Sequence, residues 1–130
     1  MRVYLALLLL LSSLGLCASP TQAPLGLNAR QLPALLQQPG SLLLDVRSTE
    51  EYAAGHLAGA INIPHDQLAA RLAEVQGHSN IVLYCRSGRR VQLAAALLQQ
   101  QQQPWQLYEL QGNFMQWQAE KRPLNQGLEP

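Results

Sequence analysis

The amino-acid sequence predicts an α/β fold with a mostly parallel central sheet flanked by helices. The apolar run 41–46 is bounded by turn residues and has the pattern of a strand buried on both faces, and the runs 60–63 and 81–84 also have the pattern of short strands. Stretches with the apolar spacing of helices alternate with these runs, as they do in βαβ units. The 130 residues are enough for one domain. Ligands of such sheets bind at the carboxyl ends of the strands, where we expect the functional site.

The N-terminal stretch has the layout of a secretory signal peptide. Arg2 precedes an unbroken apolar run, 5–11, and small residues and a proline follow. The run is too short for a comfortable transmembrane helix. We therefore predict that 1–19 are a cleaved signal peptide and that the protein is exported, to the periplasm. Two alternatives are an uncleaved anchor and a membrane-anchored lipoprotein lipidated at Cys17, although Leu16 is not the small residue that lipoprotein boxes have before their cysteine.

The remaining elements follow from caps, breakers and apolar spacing. In the first half, the sequence predicts a linker at 20–26, a helix capped by Asn28 and Gln31 and ended at Pro39, the strand 41–46, a helix capped by Ser48 or Thr49 and ended at Gly55, and the strand 60–63. In the second half, it predicts a helix with Leu68, Leu72 and Val75 on one face, the strand 81–84, a helix from near Val91, the strand 105–110, a short helix with Phe114 and Trp117, and a flexible tail at 124–130.

Composition limits the partners that the protein can have. The formal net charge of +1 provides no field to attract nucleic acid or an anionic membrane. We therefore expect no nucleic-acid partner, and no membrane partner unless Cys17 is lipidated. We also expect a monomer. Cleavage beyond Cys17 would leave Cys85 without a partner for a disulfide. The histidines, at 56, 65 and 78, have no metal-ligand spacing, so no metal site is predicted.

The most informative segment is Cys85–Arg90, which runs Cys-Arg-Ser-Gly-Arg-Arg between a predicted strand and a predicted helix. The amino end of the helix directs unpaired N–H groups toward the loop, and Arg86 and Arg89 add positive charge together with Arg90. Both influences favour the thiolate form of a cysteine. The alternative, a cysteine that only packs in the core, does not require three arginines beside it. We therefore predict that Cys85 is a nucleophile.

The other residues of the loop suit an anionic substrate. Gly88 permits backbone angles that let successive N–H groups converge on one anion. Ser87 can donate a hydrogen bond to the bound group, but it has no recognisable partner base and is a poor nucleophile. The substrate should therefore be an anion with a transferable atom soft enough to suit sulfur.

The segment Cys85–Arg90 resembles the C-x-S-G-x-R active-site loop of the rhodanese sulfurtransferases. Further similar stretches are Asp45-Val46-Arg47, Glu51-Tyr52, Gly55 to Ala60, Asn62-Ile63-Pro64 and Leu110 to Trp117. Asn113 stands where the family usually has glycine, and we expect this departure to affect a turn and not the site. The resemblance covers 27–123 and is greatest to small periplasmic rhodaneses of the phage-shock-protein-E type.

The resemblance implies a rhodanese-like three-layer sandwich and a ping-pong sulfur transfer without a cofactor. Cys85 would attack the outer sulfur of thiosulfate, sulfite would leave, and a thiophilic acceptor, cyanide or a thiol, would take the sulfur from the persulfide. The loop arginines, Arg86, Arg89 and Arg90, would attract and orient the donor. Asp45 and Arg47 are expected to brace the loop, and His56 to fix its own loop by hydrogen bonding.

Two other functions stay open. Related phosphatases and arsenate reductases use a loop one residue longer, with arginine six places after the cysteine. Val91 occupies that place here, which disfavours phosphate chemistry. The second alternative is a non-enzymatic persulfide carrier or thiol-sensing interaction domain whose substrate is a partner protein.

Overall fold

A computed structural model describes residues 22–130 of the chain. The strands are β1 (Leu25–Leu27), β2 (Ser41–Asp45), β3 (Ile61–Asn62), β4 (Asn80–Tyr84) and β5 (Gln106–Leu110). The helices are α1 (Leu32–Leu36), α2 (Thr49–Ala54), α3 (Arg89–Gln99) and α4 (Asn113–Ala119), with a 3₁₀ helix at Leu68–Glu74. The strands form one sheet in the order β1-β5-β4-β2-β3, and every pairing in it is parallel. The prediction of an α/β fold with a parallel sheet is confirmed.

Helices cover both faces of this sheet because side chains along its strands alternate between the faces. In β2, Leu42 and Leu44 belong to one buried cluster and Leu43 belongs to the other. The first cluster is completed by α3 and the 3₁₀ helix, and the second by α1, α2 and α4. The result is the three-layer sandwich that the resemblance implies. No helix among residues 22–130 is long and apolar enough to cross a membrane.

Local signals placed the helix starts with mixed success. Ser48 caps α2 through a full capping box, in which its hydroxyl accepts from the Glu51 N–H and the Glu51 carboxylate accepts from the Ser48 N–H. The helix after the Cys85 loop begins at Arg89 and not near Val91, because Gly88 in the left-handed region provides its cap. Two of the loop arginines therefore belong to the first turn of α3.

The N-terminal part of the domain begins earlier than the sequence predicts. Within the predicted linker 20–26, Leu25 starts strand β1, which pairs with β5 from Leu25 opposite Tyr108 to Leu27 opposite Leu110. A strand of three residues is too short to show periodicity, and its partner is distant in the sequence. The predicted signal peptide at 1–19, including Cys17, lies outside the described residues.

The C-terminal segment 124–130, which the sequence predicts to be a flexible tail, contacts the domain at several points. Backbone hydrogen bonds of 2.9 and 2.8 Å join His56 and Asn125 in both directions. The buried His56 ring stacks on Tyr52 and faces two carbonyl oxygens, that of Tyr52 at 2.9 Å and that of Glu129 at 2.7 Å. His56 thus fixes its own loop, as expected, and also the tail.

Candidate active site

Cys85 directly follows β4, the middle strand of the sheet, at the carboxyl edge where the sequence places it. Only 1% of the residue is exposed. It belongs to the buried cluster that includes Val91 of α3. The loop is short, since only four residues, 85–88, separate strand β4 from helix α3. The thiol therefore lies between the end of the central strand and the amino end of an 11-residue helix.

The backbone of the loop donates a hydrogen bond to the sulfur. The N–H of Gly88 lies 3.0 Å from the Cys85 Sγ. Gly88 has φ +114°, a backbone conformation that favours glycine. An N–H donor at the positive end of a helix stabilises negative charge on the sulfur, as a thiolate or as a persulfide anion.

The loop arginines divide into two kinds. Arg86 and Arg89 are exposed, and within residues 22–130 neither forms an ion pair. Ser87 is exposed as well, and its hydroxyl has no partner in the described part of the chain. These three side chains are therefore accessible from solvent, and their predicted role in binding an anion stays a prediction.

Arg90 is engaged with Glu51 of α2. Its Nη1 and Nη2 lie 2.7 and 3.2 Å from the two carboxylate oxygens. This hydrogen-bonded pair lowers the pKa of Glu51 and raises the pKa of Arg90. The charge of Arg90 remains close enough to Cys85 to interact with a thiolate. In this structure Arg90 braces the loop and adds positive potential, while its guanidinium is committed to Glu51.

Asp45 and Arg47, which were expected to brace the Cys85 loop, instead form a pair at the end of the neighbouring strand β2. Both are buried, and Arg47 donates from Nε to Asp45 Oδ1 at 2.9 Å and from Nη2 to Oδ2 at 2.6 Å. Its Nη2 also reaches the Gly55 carbonyl at 2.7 Å, and its guanidinium lies 3.9 Å from the Phe114 ring centroid. Burial alone would lower the pKa of Arg47, but the hydrogen bond and charge of Asp45 outweigh it and raise the pKa.

A shallow cavity of about 280 Å³ adjoins the loop at Arg86. Arg47, Glu51 and Phe114 also line it, together with Leu124 of the tail segment. The lining of the cavity therefore combines charged and apolar side chains. Among residues 22–130 no cluster of three or more His, Cys, Asp or Glu side chains could hold a metal ion.

Asn113 has a role in the site that the sequence did not predict. Its Oδ1 accepts a hydrogen bond of 2.9 Å from the Cys85 N–H, so the expectation that this residue affects only a turn is wrong. The N–H groups of Phe114 and Met115 donate to the carbonyls of Cys85 and Arg86 at 3.0 and 3.1 Å. These contacts arise because β5 lies beside β4, which places the β5–α4 turn against the Cys85 loop. The available signal was the non-glycine residue at a usual glycine position.

Comparison with known proteins agrees with this architecture. Residues 28–120 match the rhodanese-like domain family. The HTH-type transcriptional regulator Rv0324 of Mycobacterium tuberculosis is 40% identical over 85 residues, which are 65% of this chain and 38% of that protein. Protein YqhL of Bacillus subtilis is 37% identical over 75 residues, or 58% of this chain and 59% of its own length. The match thus spans less than two thirds of either relative.

Solved structures show the same fold. A rhodanese-related protein from Thermoplasma volcanium superposes with a TM-score of 0.67 and 26% identity, covering 81% of this chain and 99% of that one. A thiosulfate sulfurtransferase from Pseudomonas aeruginosa gives a TM-score of 0.69 at 23% identity, covering 80% of this chain and 20% of that one. With its parallel sheet, its loop at Cys85 and a family match over residues 28–120, this chain belongs to the family of rhodanese-like domains.

Proposed function

We propose that the protein is a sulfurtransferase that carries a sulfane sulfur as a persulfide on Cys85. The observation that carries this proposal is the 3.0 Å hydrogen bond from the Gly88 N–H to the Cys85 Sγ, at the amino end of α3. A donor in this position stabilises the anionic sulfur before and after it gains the second sulfur atom. The resting nucleophile then needs no neighbouring general base.

The proposed first step uses a small anionic donor such as thiosulfate. The Cys85 thiolate attacks the outer sulfur, a new S–S bond forms, and the S–S bond of thiosulfate breaks. Sulfite leaves with the bonding electron pair, and the Cys85 persulfide keeps one negative charge. The exposed cations Arg86 and Arg89 attract the dianion to the loop.

The second step regenerates the thiolate. A thiophilic acceptor, cyanide or a thiolate, attacks the outer sulfur of the persulfide and leaves with it, and the electron pair of the S–S bond returns to Cys85. The charged and apolar cavity beside Arg86 provides room for such an acceptor. Two successive displacements at one sulfur constitute the ping-pong reaction that we propose.

Phosphoryl transfer is the less favoured alternative on structural grounds. The place six residues after Cys85 is occupied by Val91, whose side chain is fully buried in the core cluster of α3. No cation can reach the loop from that position. A loop of this length leaves space for a sulfur atom on Cys85 and is too tight for a tetrahedral phosphate.

Intact mass spectrometry tests the proposal directly. Treatment with thiosulfate should add the mass of one sulfur atom, and addition of cyanide should remove it with formation of thiocyanate. Cys85→Ser is the matched control, since the Gly88 N–H can still donate to the smaller hydroxyl, and it should gain no mass. A labelled protein with negligible turnover would favour a persulfide carrier for a partner protein, and absence of labelling would contradict the proposal.

We also propose that the protein is exported. The support is the apolar run 5–11, which has the length of the apolar core of a signal peptide and is followed by small residues. N-terminal sequencing of protein purified from its native cells should give a start near Ala18. A blocked, lipid-bearing Cys17 would show the lipoprotein form instead, and an intact Met1 would contradict cleavage.

A further inference from the structure

The side-chain amide of Asn113 is fixed at both ends. Its Oδ1 accepts from the Cys85 N–H at 2.9 Å, and its Nδ2 donates to Glu109 Oε1 at 3.0 Å. A backbone N–H can only donate and a carboxylate can only accept, so the two partners together permit a single orientation of the amide. Asn113 is 3% exposed, which makes an unfulfilled hydrogen bond at this position costly.

The network continues from Glu109 back to the sulfur. The second carboxylate oxygen of Glu109 accepts from Gln92 Nε2 at 3.1 Å, and the Gln92 N–H donates to the Gly88 carbonyl at 3.2 Å. Gly88 in turn donates its N–H to the Cys85 Sγ. The carboxylate of Glu109 is therefore linked to Cys85 by two routes. One runs through Asn113 to the Cys85 backbone N–H, and the other runs through Gln92 and Gly88 to the Cys85 sulfur.

The backbone explains why asparagine can take this position. Asn113 has φ +52° and follows Gly112 at φ +73°, so two successive residues are left-handed. Asparagine is among the few residues other than glycine that adopt this conformation readily. It therefore meets the requirement that glycine meets elsewhere in the family, and it adds an amide that glycine lacks.

We propose that Asn113 is a positioning residue for Cys85 and that Glu109 holds the Asn113 amide in the orientation that this role requires. By accepting from the Cys85 N–H, Asn113 fixes the end of β4 and keeps the sulfur within reach of the Gly88 N–H. The inference deepens the proposed sulfur transfer and rests on it for turnover. The reactivity of the thiol, however, can be measured without any sulfur donor.

The test is the rate of Cys85 alkylation by iodoacetamide as a function of pH. In Asn113→Gly the left-handed backbone is retained and the amide is lost. The rate at pH 7 should fall about tenfold, and the midpoint of the pH profile should rise, because the sulfur is held less firmly on its N–H donor. The charges of Arg86, Arg89 and Arg90 are unchanged in this variant, so the shift reports the geometry of the loop.

A polarity swap tests the direct contact between Asn113 and Glu109. Asn113→Asp places two carboxylates face to face and should lower the alkylation rate at least as much as Asn113→Gly. The double variant Asn113→Asp with Glu109→Gln restores every donor–acceptor pair: the new carboxylate accepts from Cys85 and from the new amide at 109, whose oxygen accepts from Gln92. Its rate should recover most of the loss, which is the non-additivity expected of two residues that interact.

Lys121→Gly is the control, since Lys121 is also left-handed, with φ +52°, and lies beyond the carboxyl end of α4. Its profile should match that of the original protein. Unchanged alkylation in Asn113→Gly despite a lower melting temperature would overturn the inference, as would a double variant no faster than Asn113→Asp alone. If the alkylation differences appear while thiosulfate adds no sulfur, the proposed transfer fails and the positioning role stands.

Discussion

Arg90 and Glu51 form a two-pronged ion pair that joins the first turn of α3 to the first turn of α2. Glu51 also completes the capping box of α2 by accepting from the Ser48 N–H. One carboxylate therefore serves a helix cap and the brace of the Cys85 loop together. The side chains of Arg90 and Glu51 are 25% and 37% exposed, so solvent screens the attraction between them.

Glu51→Gln should lower the free energy of unfolding at pH 7 by about 0.5–1 kcal/mol, the range of partly exposed pairs. The hydrogen bond from Arg90 lowers the pKa of Glu51 in the folded state. The pair therefore stabilises the fold above the ordinary carboxyl pKa, and its contribution is lost as the pH falls through the lowered value. Urea unfolding of both proteins should show a difference at pH 7 that shrinks as the pH falls through the lowered pKa of Glu51 and vanishes below it. Glu50→Gln, an exposed acid in the same helix turn, should show a much smaller difference.

The exposed arginines of the loop should govern the affinity for an anionic donor. Arg86→Gln and Arg89→Gln should each raise the KM for thiosulfate several-fold with a smaller effect on kcat, because a screened surface cation mainly attracts the anion. The increase in KM should become smaller as salt is added, since ions screen exposed charges over about 10 Å at 0.1 M. Initial-rate kinetics at low and high ionic strength measure both effects. Lys121→Gln removes one positive charge beyond the carboxyl end of α4 and should leave the KM unchanged. An equal increase in KM in all three variants would contradict a specific role of the loop arginines.

The buried pair of Asp45 and Arg47 should be the most sensitive point of the fold near the site. Asp45→Asn leaves the guanidinium of Arg47, only 3% exposed, without a counter-charge. We expect a loss of about 3–5 kcal/mol in the free energy of unfolding, as is usual when one partner of a buried pair is removed. Replacing both residues, with Asp45→Leu and Arg47→Met, should cost less than Asp45→Asn alone. Denaturant unfolding measures the free energy of unfolding of both variants. A double variant that is less stable than Asp45→Asn would contradict the prediction.

Short-range patterns were enough to predict the sheet and the place of Cys85. The apolar runs that form β2 and β4 are bounded by turn residues, and Cys85 and the arginines near it all lie within the six consecutive residues 85–90. The features that were missed depend on long-range partners. Strand β1 exists because β5 pairs with it, and the loop contact of Asn113 exists because β5 lies beside β4. Neither adjacency is encoded in the local sequence.

The commitment of Arg90 to Glu51 illustrates the same limit within the site. Three arginines near a cysteine indicate an anion site, but their separate roles depend on what packs against each one. Glu51 lies on α2, and only the fold brings it to the first turn of α3. The sequence therefore shows three arginines beside Cys85 but cannot predict which of them pairs with a carboxylate.

The buried ring of His56 should hold the C-terminal segment in place. Both ring nitrogens face carbonyl oxygens, those of Tyr52 and Glu129, and the ring stacks on Tyr52 at 3.7 Å between centroids. His56→Phe keeps the stacking and leaves both carbonyls without their side-chain partner. The loss should lower the free energy of unfolding by about 1–3 kcal/mol.

The same variant should release the segment from Asn125 onward, because the Glu129 contact is one of its few ties to the domain. Carboxypeptidase digestion followed by mass spectrometry should then remove these residues faster than in the original protein. His78→Phe is the matched control, since among residues 22–130 that ring bonds only to the nearby Val75 carbonyl, and it lies far along the chain from the tail. If digestion of His56→Phe is no faster than that of His78→Phe, other contacts hold the segment, such as the His56–Asn125 bridge and the hydrogen bond from the Gly127 N–H to the Ala53 carbonyl, and His56 is a core residue without this role.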